Sequence, residues 1–357
     1  MINFTVGPVQ TEESIRAVLA ENIPYFRTAE FSSVMKENEK LLLKYLSAPD
    51  NSRAVFLTGS GTCAMETCVM NLLGSRDKAL VVNGGSFGKR FAELLALHRI
   101  EYSEIKLGFG KKLAASHLEP FKNKGYTAFL VNLHETSTGV LYDLPLISRF
   151  CRENGLFLII DAISSFIADE LDMGESGAGA VIIGSQKALA LAPGLSAVAL
   201  SPEGVERAEN SSAEIMYMNL KAALKDGERG QTPFTPAVGV LLQLNKRLNS
   251  IETAGGIKTE RAKIAFLASD FRRKIAGLPF TVPSENLSSA VTPLKPDNAS
   301  AYDIFEILKN EYGIWVCPNG GELRDLLFRV GHLGDLTVKD NDILIEALYD
   351  LKRRKLI

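Results

Sequence analysis

Cysteine, histidine and tryptophan are scarce in this chain, with four, four and one respectively among 357 residues. Cys63, Cys68, Cys151 and Cys317 form no CxxC pair and no dense framework, which excludes a disulfide-stapled scaffold or a thiolate zinc ribbon and points to a reduced, cytoplasmic compartment. The histidines, His98, His117, His134 and His332, show no HxxxH spacing, so no metal site is expected. No apolar run reaches the roughly 18 residues that span a bilayer. The opening Met1-Ile-Asn-Phe-Thr5 lacks the charged and apolar regions of a signal peptide, and no membrane partner is expected. Basic excess is missing too: 40 Lys and Arg against 42 Asp and Glu leave a net charge of −2, unlike a nucleic-acid-binding surface. The Lys352-Arg-Arg-Lys355 cluster is read as favouring a helix dipole rather than binding a partner. No repeat or low-complexity tract is present.

What is there is a long, ordinary globular composition, 46% hydrophobic and 23% charged, long enough for two domains. Between Ala54 and Ser201, short β-rich runs alternate with helical patterns. The expected strands are Ala54–Thr58, Lys78–Asn83, Glu101–Lys106, Ala128–Asn132, Phe157–Asp161, Ala180–Gly184 and Ala197–Ser201. Several are continuously apolar, as strands covered on both faces are. Strand–helix alternation predicts an α/β fold: a mainly parallel seven-stranded sheet flanked by helices, with ligands at the strands' carboxyl ends. After Pro236 the pattern becomes two long helices (Val238–Thr253 and Ile257–Ala276), an extended stretch at Val291–Leu294, a helix at Ala301–Tyr312, strands at Ile314–Pro318 and Leu326–Val330, and a final helix at Val338–Lys355. This predicts a smaller C-terminal α+β domain over 246–357, a large domain over 15–245, and an N-terminal segment, 1–14, that packs against either.

Two apolar runs end in opposite charges. Phe157-Leu-Ile-Ile-Asp161 closes on a carboxylate, and Val181-Ile-Ile-Gly-Ser-Gln-Lys187 closes on an amine. A lysine after a strand is otherwise a solvated loop charge. Beside an aspartate on a neighbouring strand, it suits a pyridoxal phosphate enzyme, in which the lysine forms a Schiff base with the aldehyde and the aspartate keeps a proton on the pyridine nitrogen. Burial lowers a lysine's pKa and makes it a nucleophile near neutral pH.

Other strand ends carry matching chemistry. Thr58-Gly-Ser-Gly-Thr62 opens a helix whose N–H groups and dipole suit a phosphate, with Ser60 and Thr62 as hydroxyl donors; alone it is equally a capped turn. Phe87, in Gly85-Ser-Phe-Gly88, can lie against a planar ring or serve as a core residue. His134-Glu-Thr-Ser-Thr-Gly139 reads as a polar pocket floor from which a threonine reaches a phenolic oxygen. Arg329, inside the apolar run Leu326–Val330, needs an anion: a substrate carboxylate or an internal Asp or Glu.

These segments, together with Gly184-Ser-Gln-Lys187, Ala192-Pro-Gly194 and Arg329-Val-Gly-His332, stand in the order of the class V aminotransferases, fold-type I pyridoxal 5'-phosphate enzymes. The chain resembles that family over nearly its whole length, in particular the alanine–glyoxylate (serine–pyruvate) aminotransferases and the 2-aminoethylphosphonate–pyruvate transaminases. The resemblance implies Lys187 as the Schiff-base lysine and acid/base, Asp161 at the ring nitrogen, Phe87 on the ring face and Thr136 near the phenolic oxygen. It implies Ser60, Gly61, Thr62 and Gln186 around the phosphate, with Gln231 or Thr235 reaching over from a second subunit of a homodimer with shared active sites. Arg329 would clamp the substrate carboxylate and Gly7 would help close the pocket. The substrates implied are a small amino donor (alanine, serine or 2-aminoethylphosphonate) and a small 2-oxo acid (pyruvate or glyoxylate). A phosphonate would need a further cation, for which Arg27, Lys89 and Arg90 are candidates. The rival within the fold is a lyase of the cysteine desulfurase or selenocysteine lyase type. Such lyases carry histidines where this chain has Phe87 and Gln186, and place a reactive cysteine in a mobile, Gly-rich loop, which none of the four obviously occupies.

Overall fold

The computed structural model describes all residues 1–357. Its centre is a seven-stranded sheet in the spatial order Arg53–Thr58, Leu195–Leu200, Ala178–Gly184, Phe157–Asp161, Ala128–Asn132, Lys78–Asn83, Glu101–Lys106. Leu195–Leu200 runs antiparallel to both neighbours; the other pairings are parallel. The expected strands and the mainly parallel sheet are both present.

Side chains along each strand alternate between two separate cores. Leu80, Val82, Phe129, Val131, Leu158 and Ile160 enter one, whereas Ala79, Val81, Ala128, Leu130, Phe157 and Ile159 enter the other. Both sheet faces are therefore dry, which is why these strands read as unbroken apolar runs. The second core is closed by helices that include Gly61–Leu72 and Ser86–Leu97. The first is closed by Ala29–Tyr45, Leu144–Asn154 and Val238–Thr253. Val238–Thr253 runs through residue 245, and its Leu241, Leu244, Leu248 and Ile251 belong to the large unit's core.

The second sheet has five strands, in the order Ile2–Phe4, Ile314–Pro318, Phe328–Gly331, Val291–Pro296 and Phe280–Thr281. It packs against Ile257–Lys274, Ala301–Tyr312 and Val338–Arg353 around a core of its own. Ile2–Phe4 pairs in parallel with Ile314–Val316, so the N-terminus joins this smaller unit. A few residues on, Val9 donates from its backbone to Gln186 O at 3.2 Å, and the same segment touches the large unit. The strand expected from Leu326 begins at Phe328. Leu326 and Leu327 both donate to Leu323 O, and that turn keeps them out of the ladder. No helix is long and apolar enough to cross a membrane.

Candidate active site

The carboxyl ends of five large-sheet strands, at Thr58, Asn83, Asn132, Asp161 and Gly184, lie along one edge. Asn132 pairs with Asp161, and Asp161 with Ile182, so the segments that follow converge there. Asp161 is buried and accepts from Ile163 N at 2.8 Å through Oδ1; it has no salt-bridge partner. Burial pushes its carboxyl up to about 7; the Ile163 N–H opposes the shift and Glu135 adds to it. Lys187 is 8% exposed and its amine makes no hydrogen bond. Burial pushes it down to about 8, and the nearby Arg329 contributes in the same direction. A carboxyl without a salt bridge and an amine without an acceptor thus lie close enough to act on each other's charge.

Around this pair stand the other expected residues. Ser60 is the N-cap of Gly61–Leu72 but makes no side-chain capping bond, so the first-turn N–H groups stay available to an anion. Gly61 has no room for a side chain, because a Cβ there would stand 2.2 Å from Ile163 Cδ1. Gln186 has a buried Oε1 with no partner. Thr62 Oγ1 accepts from Arg90 Nη1 at 3.2 Å, and the Arg90 guanidinium lies 5.0 Å from the centroid of the Phe87 ring. Thr136 shares a 2.7 Å hydrogen bond with Ser164 Oγ. Gly7, at φ +145°, lies against the Lys187 stem, where a Cβ would come within 2.7 Å of Cδ.

Arg329 is held by neutral groups. It is buried and in no salt bridge with an Asp or Glu. Nη1 donates to Thr136 O at 3.0 Å, and Nη2 donates to Pro318 O at 2.9 Å and to Cys317 Sγ at 3.2 Å. Nε is buried without a partner. Three of the five N–H donors of a guanidinium are used, and two remain open to an anion, one on Nε and one on Nη1.

Gln231 and Thr235 lie elsewhere on the chain. Gln231 is buried and donates to Phe26 O at 3.1 Å and Ser32 Oγ at 2.6 Å, which ties 26–32 to its own subunit. Thr235 is exposed. Of the three cations considered for a second anion, Arg27 donates to Thr232 O and Pro233 O at 2.9 and 3.2 Å. Lys89 pairs with Glu93 at 3.4 Å, and Arg90 covers Phe87.

Two further residues bear on the site without a sequence pattern that marks them. Glu135 is wholly buried beneath the Phe87 turn, and Cys317 holds Arg329. Glu135 stands among polar residues, His134, Thr136, Ser137 and Thr138, and nothing in that stretch marks it for complete burial. His134 is buried with both ring nitrogens unpartnered, and burial pushes it down to about 3 with Lys187 and Arg329 adding to the effect, so it is a neutral imidazole.

Residues 20–322 match the family described as Aminotransferase class-V. The chain is 31% identical to a protein named soluble hydrogenase, small subunit, from Synechococcus sp. (strain PCC 6716), over 95% of this chain and 88% of that one. It is 28% identical to the L-aspartate–glyoxylate aminotransferase of Paracoccus denitrificans, over 94% and 86%. The crystal structure of a subgroup IV aspartate aminotransferase from Thermus thermophilus superposes with a TM-score of 0.91 at 26% identity, covering 98% of this chain and 99% of that one. The family match spans the strand ends that carry Asp161 and Lys187, and the chain belongs to the class V aminotransferases, which are pyridoxal 5'-phosphate-dependent transaminases.

Proposed function

We propose that the chain moves an amino group from a small amino donor to glyoxylate or pyruvate, with Lys187 as the proton-carrying amine and Arg329 as the carboxylate clamp. The observation that carries this is the pairing of a free buried amine with a buried guanidinium that has no carboxylate of its own. The residues present fit pyridoxal phosphate: Lys187 would meet its aldehyde, Asp161 its ring nitrogen, and the open helix start at Gly61 its phosphate. When bound, this group supplies an electron sink and a carrier for the amino group between two half-reactions.

The chain's own residues do the rest. Asp161 holds a proton at the ring nitrogen, and the cation so formed offsets the cost of burying its carboxylate. Lys187, with its pKa lowered to about 8 by burial, is neutral in roughly a tenth of molecules at pH 7 and, in that form, can take the proton from the donor's Cα and return it one atom away. Arg329 would fix the donor by its carboxylate, Thr136 would serve the phenolic oxygen, Phe87 the ring face, and Ser60, Gly61, Thr62 and Gln186 the phosphate. Gly7 closes the space over the Lys187 stem.

Lys89 is paired with Glu93, whereas Arg27 and Arg90 contact only neutral groups; a donor with one carboxylate, alanine or serine, needs Arg329 alone, and 2-aminoethylphosphonate would need one of those two arginines. A lyase is disfavoured by Phe87 and Gln186 at the positions where histidines would stand, and by the cysteines: Cys68 and Cys151 are buried with their thiols pushed up by burial, and Cys317 is held against Arg329. A homodimer with shared sites is supported by the exposed apolar residues Leu19, Ile23, Tyr25, Met216 and Tyr217. These lie near the segment that carries Phe234 and Gly239, where exposed Thr235 would face a partner. Four free cysteines support a reducing, cytoplasmic setting.

The test is the half-reaction. The purified holoenzyme, mixed without oxo acid with L-alanine, L-serine, L-aspartate, L-cysteine or 2-aminoethylphosphonate, should convert cofactor absorbance near ~420 nm to that of the amine form near ~330 nm, fastest with alanine or serine. Sulfide from cysteine with no amine form from any donor would instead establish a lyase. Borohydride should fix the cofactor to the Lys187 peptide and fail to do so in Lys187→Ala; labelling of a different lysine in the wild type would overturn that assignment.

A further inference from the structure

Glu135 is completely buried and takes part in no ion pair, an arrangement that destabilises a carboxylate unless donors surround it. The donors come mainly from two directions. Phe87 N and Gly88 N donate to Oε2 at 3.2 and 3.1 Å, and Asn132 Nδ2 donates to the same oxygen at 2.9 Å. Ser137 donates to Oε1 from its backbone N at 3.2 Å and from Oγ at 2.5 Å. Phe87 and Gly88 belong to the first turn of Ser86–Leu97, whose N-cap, Gly85, has no side chain to offer. Glu135 thus caps a helix from another segment, at the end where the helix dipole favours a negative charge. Ser137 Oγ also accepts from Ser86 N at 3.1 Å.

The clamp has no slack. A Cβ on Gly85 would stand 2.4 Å from Ser137 Oγ and 2.6 Å from Glu135 Cδ, and one on Gly88 would stand 2.4 Å from Val82 O. The helix start is held from below by Glu135, while Arg90, one turn on, covers the Phe87 ring and reaches Thr62 Oγ1. The position of the Phe87 ring follows from both.

We propose that Glu135 is a positioning residue of the cofactor site: by clamping the first turn of Ser86–Leu97 it fixes the plane in which Phe87 meets the cofactor ring. This rests on the reading of Phe87 as the stacking residue. Glu135→Gln keeps the shape but turns an NH2 group toward N–H donors, so the turn must shift. A misplaced ring costs cofactor affinity about tenfold.

The experiment titrates cofactor-free wild type, Glu135→Gln, Phe87→Leu and the double variant with pyridoxal phosphate. It records dissociation constants and the visible circular dichroism of the bound cofactor, which reports ring orientation rather than fold. Expected are a dissociation constant raised about tenfold and a changed visible band in Glu135→Gln, with the double variant no worse than Phe87→Leu. Unchanged binding and dichroism in Glu135→Gln beside a weakened Phe87→Leu, or losses that add in the double variant, would overturn the proposal alone. Unchanged binding in Phe87→Leu would overturn the stacking assignment and the proposal with it. Should Glu135→Gln not fold, Ser137→Ala, which removes one donor to Glu135 and the acceptor of Ser86 N, should shift both readouts the same way by less; wild-type values would overturn the proposal.

Discussion

Gly7 and Lys187 are packed so closely that a Cβ on Gly7 would stand 2.7 Å from Lys187 Cδ and 2.9 Å from Cε. The contact is made by the N-terminal segment, which is anchored on one side at Gln186 O through Val9 and on the other at Asp335 O through Gln10 Nε2 at 2.8 Å. Neither anchor can slide without disturbing the other unit.

Gly7→Ala should therefore disturb the lysine more than the fold. The left-handed-side φ of +145° adds strain of about 1–3 kcal/mol, and the Lys187 stem must swing away. We expect kcat to fall at least about tenfold, one factor of ten for each ~1.4 kcal/mol added to the barrier, with a smaller loss of melting temperature. A kcat equal to wild type would show that the amine reaches its target without this wall.

The opposed shifts of Asp161 and Lys187 predict how the cofactor-free protein responds to pH. Asp161 moves from 3.8 to about 7 on folding, so between those values the folded state binds more protons than the unfolded one and stability falls as pH rises. Lys187 moves from 10.5 to about 8; in that window the unfolded state binds more protons, and stability rises with pH. Cofactor-free wild type should thus be least stable between about pH 7 and 8. Asp161→Asn should lose the downward slope at acid pH and be more stable than wild type at pH 7.5 without cofactor, while binding cofactor worse. Melting curves across pH 4–10 check this, and parallel profiles for the two proteins would contradict it.

Much of this site was legible because chemistry sat at the ends of strands. Apolar runs that end in Asp161 and before Lys187 mark their own boundary, and parallel-sheet topology brings such ends together wherever they fall in sequence. Arg329 was legible as a buried charge, but not what held it: Thr136 O is 193 residues away along the chain. Glu135 was hidden for a related reason: beside its local partners Asn132 and Ser137, it accepts from backbone N–H groups 47 and 48 residues upstream, and backbone groups leave no sequence signature. The helix Ala29–Tyr45 carried no strong pattern: it buries Asn38 on its inner face, where Nδ2 donates to Leu241 O at 3.0 Å, so its stripe is not purely apolar.

Arg329→Lys should separate binding from chemistry. A lysine cannot reproduce the planar fork that spans Thr136 O and Pro318 O while offering two further donors. Loss of a charge-assisted hydrogen bond of about 1.5–3 kcal/mol corresponds to a KM for the amino acid raised roughly 10- to 100-fold, with a smaller change in kcat if the clamp binds ground and transition states alike. Spectral titration with a donor analogue gives the dissociation constant directly. An unchanged KM would remove Arg329 from the carboxylate site.

Arg272 reaches the same site through the joint between the two units. It donates from Nε to Thr292 Oγ1 at 2.9 Å and from Nη2 to Ser288 O and Val291 O at 2.5 and 2.9 Å. Asp169, on the large unit, accepts from Ser288 Oγ at 2.5 Å and Ser289 N at 2.9 Å, and Thr292 Oγ1 bonds His332 Nε2 at 2.7 Å. Burial and Arg272 both depress the His332 imidazole, which stays neutral. Thr292 pairs with Val330, next to Arg329, so the network borders the strand that carries the clamp. Arg272→Met leaves buried acceptors unpaired and Asp169 without its compensating charge, and should cost about 3 kcal/mol in urea unfolding. If the network also positions Arg329, KM for the donor should rise about tenfold, the equivalent of ~1.4 kcal/mol, under conditions where the variant remains fully folded. A stability loss with an unchanged KM would confine Arg272 to holding the two units together.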